Sequence, residues 1–214
     1  MLHPRLPLAA IVLCGGRSQR MGQPKHLMIW GNGTLCSHLC RVVGRVCSPV
    51  ILVAAQQQTI PTLPSSVQVI RDELPDAGPL AAIACGLLFL RQEHPDAEVT
   101  FVTACDTPLL TPAVVSTVYR ELKDSDAAIV FQEGFPHPLC AVYRTRVADT
   151  AKQLLISGER RLTALLERIR VREIPCDLLR GTDPELHCLK NLNTMEDYDK
   201  ASEIARRDPE LDHD

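Results

Sequence analysis

Aromatic side chains are scarce. Phe, Trp and Tyr make up 4% of the 214 residues, too few for the stacking platforms that hold single-stranded nucleic acid. Excess positive charge is also missing. The 23 Lys and Arg stand against 26 Asp and Glu, a formal net charge of −3, so the chain carries no basic nucleic-acid footprint. No apolar run approaches the roughly 18 residues of a membrane span. The 9 cysteines (Cys14, Cys36, Cys40, Cys47, Cys85, Cys105, Cys140, Cys176 and Cys188) include no Cys-x-x-Cys pair, which argues against a zinc ribbon or a thioredoxin-like centre. Most of them sit in apolar runs, where free Cys acts as a small hydrophobe, and an odd unpaired set fits a reducing cytoplasm. Cys36 and Cys40 share a helical spacing with His38 between them. Neither a Walker A loop nor a G-x-G-x-x-G turn occurs. Internal repeats, low-complexity segments and linkers are absent too. The expectation is one domain over residues 1–205, with a charged, disordered tail over 206–214.

What is present alternates. The apolar run Leu8–Cys14 reads as a central parallel strand, hydrophobic on both faces. A signal peptide is the competing reading, disfavoured because the run leads into a Gly-rich turn without a small-residue cleavage site. Further strands are expected at Val50–Ala54, Val67–Ile70, Val99–Ala104, Ala127–Phe131, Leu139–Tyr143 and Val171–Ile174. Helices are expected at Thr34–Val46, Pro79–Leu90, Thr111–Lys123, Arg146–Ile156, Arg160–Ile169 and Thr194–Ala205, with Thr34 and Thr111 as caps. Residues 15–33 read as a long loop, and 56–66 as a loop or short helix. This order predicts an α/β, three-layer, open, mostly parallel sheet with helices on both faces. In such sheets ligands bind beyond the carboxyl ends of the strands. Two of those ends carry conspicuous chemistry, Gly15-Gly16 after the first strand and Asp106 after the fourth.

The segment from Leu13 through Cys14, Gly15, Gly16, Arg17, Ser18, Gln19, Arg20, Met21, Gly22, Gln23 and Pro24 to Lys25 is the most informative. Adjacent glycines let backbone N–H groups approach a phosphate, and Arg17, Arg20 and Lys25 bring three cations suited to a triphosphate. A tight turn followed by a solvated basic loop is the plainer reading. The three cations favour anion binding.

The pattern L-x-G-G-x-S-x-R-M-G-x-x-K resembles the signature loop of the nucleotidyltransferase superfamily, and its L-x-G-G spelling that of the molybdenum cofactor guanylyltransferases. Ordered matches extend the resemblance over about residues 8–200: Val69-Ile70-Arg71-Asp72, Gly78-Pro79-Leu80-Ala81-Ala82, Ala104-Cys105-Asp106-Thr107-Pro108, His137-Pro138, Gly158-Glu159-Arg160-Arg161 and Asn191-Leu192-Asn193-Thr194.

The resemblance implies a Rossmann-like nucleotidyltransferase fold. It implies transfer of GMP from GTP to the phosphate of molybdopterin, with release of pyrophosphate and formation of molybdopterin guanine dinucleotide. It implies Mg²⁺ on Asp106, and Lys25 and Arg20 on the β- and γ-phosphates. Leu13, Cys14, Gly15 and Gly16 would meet the nucleotide. Asp72 would accept from guanine or ribose, and Gly78 and Pro79 would shape the base pocket. Asn191 and Asn193 would face the pterin, or else cap the helix that follows, with contact between Asn193 and the metal as a further reading. Arg160 and Arg161 have two readings of equal weight: a pterin-phosphate site, or a solvated helix face shared with Glu159 and Glu167. His137 carries little weight, and His26, His38 and His94 receive no role. Transient contact with molybdoenzyme delivery proteins is a further expectation; nucleic-acid and membrane partners are not expected.

The sequence departs from the family pattern at several places. Cys14 stands for Ala, and Ala82 for the second Gly of G-P-L-A-G. Pro24 precedes Lys25 where many members carry Asp. Ala54 and Gln56 fall where an Asn often meets guanine. These departures bear on base and acceptor, leaving a cytidylyl- or other nucleotidyltransferase, or a non-catalytic cofactor carrier, as alternatives.

Overall fold

The computed structural model describes residues 5–14, 23–72, 74 and 77–208. The expected Gly15, Gly16, Arg17 and Arg20 lie outside the described residues, as does 209–214 of the expected tail. Seven strands form one sheet in the order β5-β4-β1-β6-β8-β7-β9. They are β1 Ala9–Leu13, β4 Val50–Ala55, β5 Val67–Asp72, β6 Val99–Ala104, β7 Ala127–Gln132, β8 Phe135–Arg144 and β9 Val171–Pro175. Only β8 runs against the others, pairing antiparallel with β6 and with β7. A separate two-stranded hairpin joins β2 Ile29–Trp30 to β3 Gly33–Thr34.

Strand β1 is buried along its whole length because both of its faces are covered. Ala10 and Val12, with Cys14 just beyond, join a core packed under α1 (Leu35–Gly44) and α3 (Pro112–Arg120). Ala9, Ile11 and Leu13 join a second core under α2 (Gly78–Glu93), α4 (Ala148–Ile156) and α5 (Leu162–Leu166). Period-2 alternation thus feeds two apolar layers, which is why the sequence shows a continuous hydrophobic run. Thr34 and Thr194 start α1 and α6 (Met195–Arg207) with reciprocal capping boxes, and Thr111 caps α3.

The structure corrects four local expectations. Strand β8 begins at Phe135, and not at Leu139: Glu133 and Gly134 turn with φ of +52° and +81°. Pro136 and Pro138 are tolerated there because β6 pairs only with residues 141–144 of β8, so the first part of the strand is an edge. The helix expected from Arg160 shrinks to Leu162–Leu166, because the Glu159 carboxylate takes the N–H groups of Arg160 and Arg161 and holds them ahead of the helix. The loop expected over 15–33 contains the β2–β3 hairpin and a 3₁₀ turn at Lys25–Leu27, strands too short to leave a periodic signal. Finally, α6 continues past the expected boundary of the tail through Arg206 and Arg207; both lie in its last turn, where cations favour the helix dipole.

Helix α2 crosses β1 where side chains leave no room. A Cβ on Gly86 would lie 2.8 Å from Ile11 Cδ1 and 3.0 and 3.1 Å from its Cγ1 and Cγ2. Ile11 is fully buried and has nowhere to move. Gly86→Ala is therefore expected to lower stability by about 1–3 kcal/mol, overpacking outweighing the helix-propensity gain of roughly 1 kcal/mol. Urea unfolding of the two proteins checks this, and an unchanged or raised midpoint would refute the tight crossing.

Candidate active site

The chain runs from β1 outward through β4 to the edge strand β5, then returns through α2 to place β6 on the other side of β1. The topology therefore switches direction between β1 and β6, the position at which open α/β sheets bind ligands. Leu13 pairs in register with Ala104, and the Leu13 carbonyl accepts from Cys105 N at 3.1 Å. Cys14 and Cys105, the residues that follow the two strands, consequently leave the sheet side by side.

Three side chains from distant segments converge at this end. Lys25 Nζ lies 3.4 Å from Asp106 Oδ2 and donates to Asn193 Oδ1 at 3.2 Å. These partners are 81 and 168 residues from Lys25 along the chain. The lysine and aspartate side chains are 20% and 25% exposed, shielded yet reachable from solvent. The Asp106 carbonyl accepts from Leu192 N at 2.8 Å, so the backbone before Asn193 is strapped to the end of β6. Asn193 is not the cap of α6: Thr194 is, while the Asp197 carboxylate accepts from the N–H groups of both Asn193 and Thr194. The amide of Asn193 is thereby left to Lys25. Asn191 is exposed on the same strap.

Gln58, which no motif marks, supports this arrangement. Its Nε2 donates to the Cys14 carbonyl at 2.7 Å and to His26 Nδ1 at 3.0 Å, and its Oε1 accepts from Ala55 N at 3.0 Å. His26, buried beside Lys25, donates from Nε2 to the Thr59 carbonyl at 2.9 Å. Arg71 donates to the Ala55 and Gln58 carbonyls at 2.9 and 2.7 Å. One amide thus ties the exit of β1 to the turn that carries Lys25. Nothing in the run Gln56-Gln57-Gln58 singles out the residue that turns inward. His38 is structural, bonding the Pro108 carbonyl through Nε2 at 2.9 Å. Burial holds the pKa of His137 below its ordinary value.

Asp72 ends β5 as expected, its carboxylate accepting from Leu74 N at 2.9 Å in a turn of its own. Gly78 opens α2 with φ of +76°, and Pro79 follows in the first turn. A Cβ on Gly78 would sit 3.7 Å from the Arg160 carbonyl, so these two motif segments adjoin. Arg160 Nη1 donates to the Leu155 and Glu159 carbonyls at 2.9 and 3.0 Å. Glu159 is held by the Arg161 guanidinium and by the N–H groups of Arg161 and Arg160, which bring its pKa down to about 2. Arg160, Arg161 and Glu159 precede α5, and do not share a helix face with Glu167, which caps the far end.

Comparison with known proteins now places the chain. Residues 10–173 match the family described as MobA-like NTP transferase domain. The chain belongs to this family. A probable molybdenum cofactor guanylyltransferase of Mycobacterium tuberculosis is 41% identical over 192 residues, 88% of this chain and 90% of the relative. A probable enzyme of the same name from Mycobacterium marinum is 36% identical over 193 residues, 89% of this chain and 90% of that one. The fold is similar to the crystal structure of molybdopterin-guanine dinucleotide biosynthesis protein A from Archaeoglobus fulgidus, with TM-score 0.78 and 24% identity over 94% of this chain and 100% of that one. It is also similar to 2-C-methyl-D-erythritol 4-phosphate cytidylyltransferase from Thermus thermophilus, with TM-score 0.63 and 13% identity over 92% and 98% of the two chains. The sheet is thus a nucleotidyltransferase fold, as the sequence implied.

Replacing Gln58 by Leu removes a donor from the Cys14 carbonyl and from His26, and an acceptor from Ala55 N–H. The expected loss is about 1–3 kcal/mol of stability, the cost of leaving buried polar groups unpaired. Thermal unfolding of the variant measures it, and a wild-type midpoint would show that these bonds carry no weight.

Proposed function

We propose that this chain transfers GMP from GTP to the phosphate of molybdopterin, releasing pyrophosphate and forming molybdopterin guanine dinucleotide. The observation that carries this reading is the convergence of Lys25, Asp106 and Asn193 at the β1–β6 switch point. The names of the relatives at 41% and 36% identity support the choice of base and acceptor.

The reaction forms a bond between an acceptor phosphate oxygen and the α-phosphorus of GTP, and breaks the bond from that phosphorus to the bridging oxygen of the leaving pyrophosphate. An ionised phosphate is already nucleophilic, so the protein supplies alignment and charge neutralisation and needs no general base. Lys25 donates to the β- and γ-phosphate oxygens and stabilises the leaving group, aided by Arg20. Leu13, Cys14, Gly15 and Gly16 offer backbone to the nucleotide, and Asp72, Gly78 and Pro79 bound its base and ribose. Asn191, Asn193 and Arg160 face the acceptor.

The donor set fits Mg²⁺. Asp106 and Asn193 present hard oxygens on either side of one cation, the Lys25 ammonium, and Mg²⁺ takes one or two such protein ligands with substrate phosphates and water completing its shell. When bound there, Mg²⁺ neutralises charge on the triphosphate.

The nine cysteines that the structure leaves free suit a reducing cytoplasm. The formal charge of −3 does not suit nucleic acid. Among the described residues no helix is long and apolar enough to cross a membrane.

Asp106→Asn and Lys25→Met are each expected to lower kcat for pyrophosphate release from GTP and molybdopterin by about 10²–10³-fold. Circular dichroism should stay native. Turnover surviving in Asp106→Asn would sink the site assignment. A melting-temperature rise with GTP and Mg²⁺ but not CTP is expected; a rise with CTP instead would move the chain to cytidylyl transfer. Binding without turnover would make it a carrier.

A further inference from the structure

Directly beneath the proposed transfer site, on the face of β1 opposite α2, three thiols meet. Cys14 follows β1, Cys105 follows β6 and Cys36 is the second residue of α1. Their sulfurs all lie within 4.8 Å of one another, and the Cys14 and Cys36 sulfurs are 3.9 Å apart. Exposure is 5% for Cys14 and Cys105 and 0% for Cys36. A planar thiolate triangle around an ion with metal–sulfur bonds of ~2.3 Å has edges of about 4.0 Å. One edge already has that length, and the triangle closes on an ion if its longest edge contracts by under about 1 Å.

One surrounding feature fixes a ligand in place and another favours a thiolate. Gln58 Nε2 gives its two protons to the Cys14 carbonyl and His26 Nδ1 and lies 3.4 Å from the Cys14 sulfur, so it holds the residue that carries that ligand. Cys36 lies in the first turn of α1, where the helix dipole favours negative charge. The Cys105 thiol donates to the Leu13 carbonyl at 3.1 Å.

We infer that Cys14, Cys36 and Cys105 form a binding site for a thiophilic divalent cation of the zinc class, separate from the oxygen donors of Asp106 and Asn193. Softness sorts the two sites: thiolates select zinc-like ions, whereas carboxylate and amide oxygens select Mg²⁺. Each thiol that becomes a thiolate ligand releases one proton, so three thiols and one divalent ion give a trigonal complex and three protons. The ion links the carboxyl ends of β1 and β6 to the start of α1. Its occupancy therefore stiffens the frame from which Asp106 emerges.

The test uses the reduced full-length protein, stripped of metal by a chelator, with no nucleotide present. Titration with Cd²⁺ is expected to raise an ultraviolet thiolate-to-metal charge-transfer band that saturates at one ion per chain. Zinc X-ray absorption on the wild-type protein is expected to give three sulfur neighbours at about 2.3 Å. Cys36→Ala and Cys14→Ala should each weaken binding at least tenfold, while Cys47→Ala, at a buried thiol outside the triangle, should bind as wild type. Cys14→Ala installs the small residue common at this position in the resembled family, which favours its folding. Absence of a saturating band, a zinc shell of nitrogen and oxygen alone, or wild-type binding in both triangle variants would overturn the site. The wild-type absorption measurement decides even if a variant fails to fold. Because none of these readouts involves transfer, they fail or succeed independently of the guanylyl reading.

Discussion

The parallel pairing of β1 with β6 is the constraint on which the site depends. Four of the strands lie side by side in the order β5-β4-β1-β6, but β6 reaches β1 only after the chain has travelled out to the sheet edge and back. Its register sets Leu13 against Ala104 and hence the residues that follow them, Cys14 and Cys105, one beside the other. The chemistry on both sides of this seam follows from it: Asp106 projects beyond the sheet, and the thiols pack below. A shift of one residue would exchange the two faces of β1 and destroy both.

A third apolar cluster completes the site from outside the sheet. Met28 and Trp30 of the hairpin region pack with Leu35, Leu109, Leu192, Ala201 and Ala205. Trp30 meets Tyr198 edge-on at 5.8 Å, and the Tyr198 hydroxyl donates to the Ile29 carbonyl. This cluster fastens α6 to the hairpin, and so fixes the Asn193 strap just before α6 against the Lys25 turn just before the hairpin. Packing of residues remote from the chemistry thereby sets a lysine–amide distance of 3.2 Å. Such support from rigid neighbours is what transfer by alignment demands.

The sheet and its helices were legible because their signals are long. The β1 run is apolar on both faces, and α1 and α3 begin at capping threonines that the sequence displays openly, whereas the cap of α6 is Thr194 and not the asparagines before it. Lys25, Asp106 and Asn193 stand in ordered motifs, and the structure brings them together, though nothing local says that they touch. What stayed hidden depends on tertiary context. The two-residue strands of the hairpin are too short to show a period, and Pro136 and Pro138 concealed a strand whose edge position makes prolines harmless. Gln58 is one of three consecutive glutamines, and only the folded chain shows which one bridges Cys14 and His26. The cysteine triangle joins residues 22 and 69 positions apart, so no spacing rule could have found it.

The central claim is that Lys25 and Asn193 act as one unit at the transfer site. A double-mutant cycle tests it most directly, using kcat/KM for pyrophosphate release in wild type, Lys25→Met, Asn193→Ala and the double variant. Groups in contact show interaction energies of about 0.5–3 kcal/mol, so the double variant is predicted to lose clearly less than the combined single losses. Strict additivity, with both single variants impaired and folded, would mean that the two side chains act separately and would contradict the account.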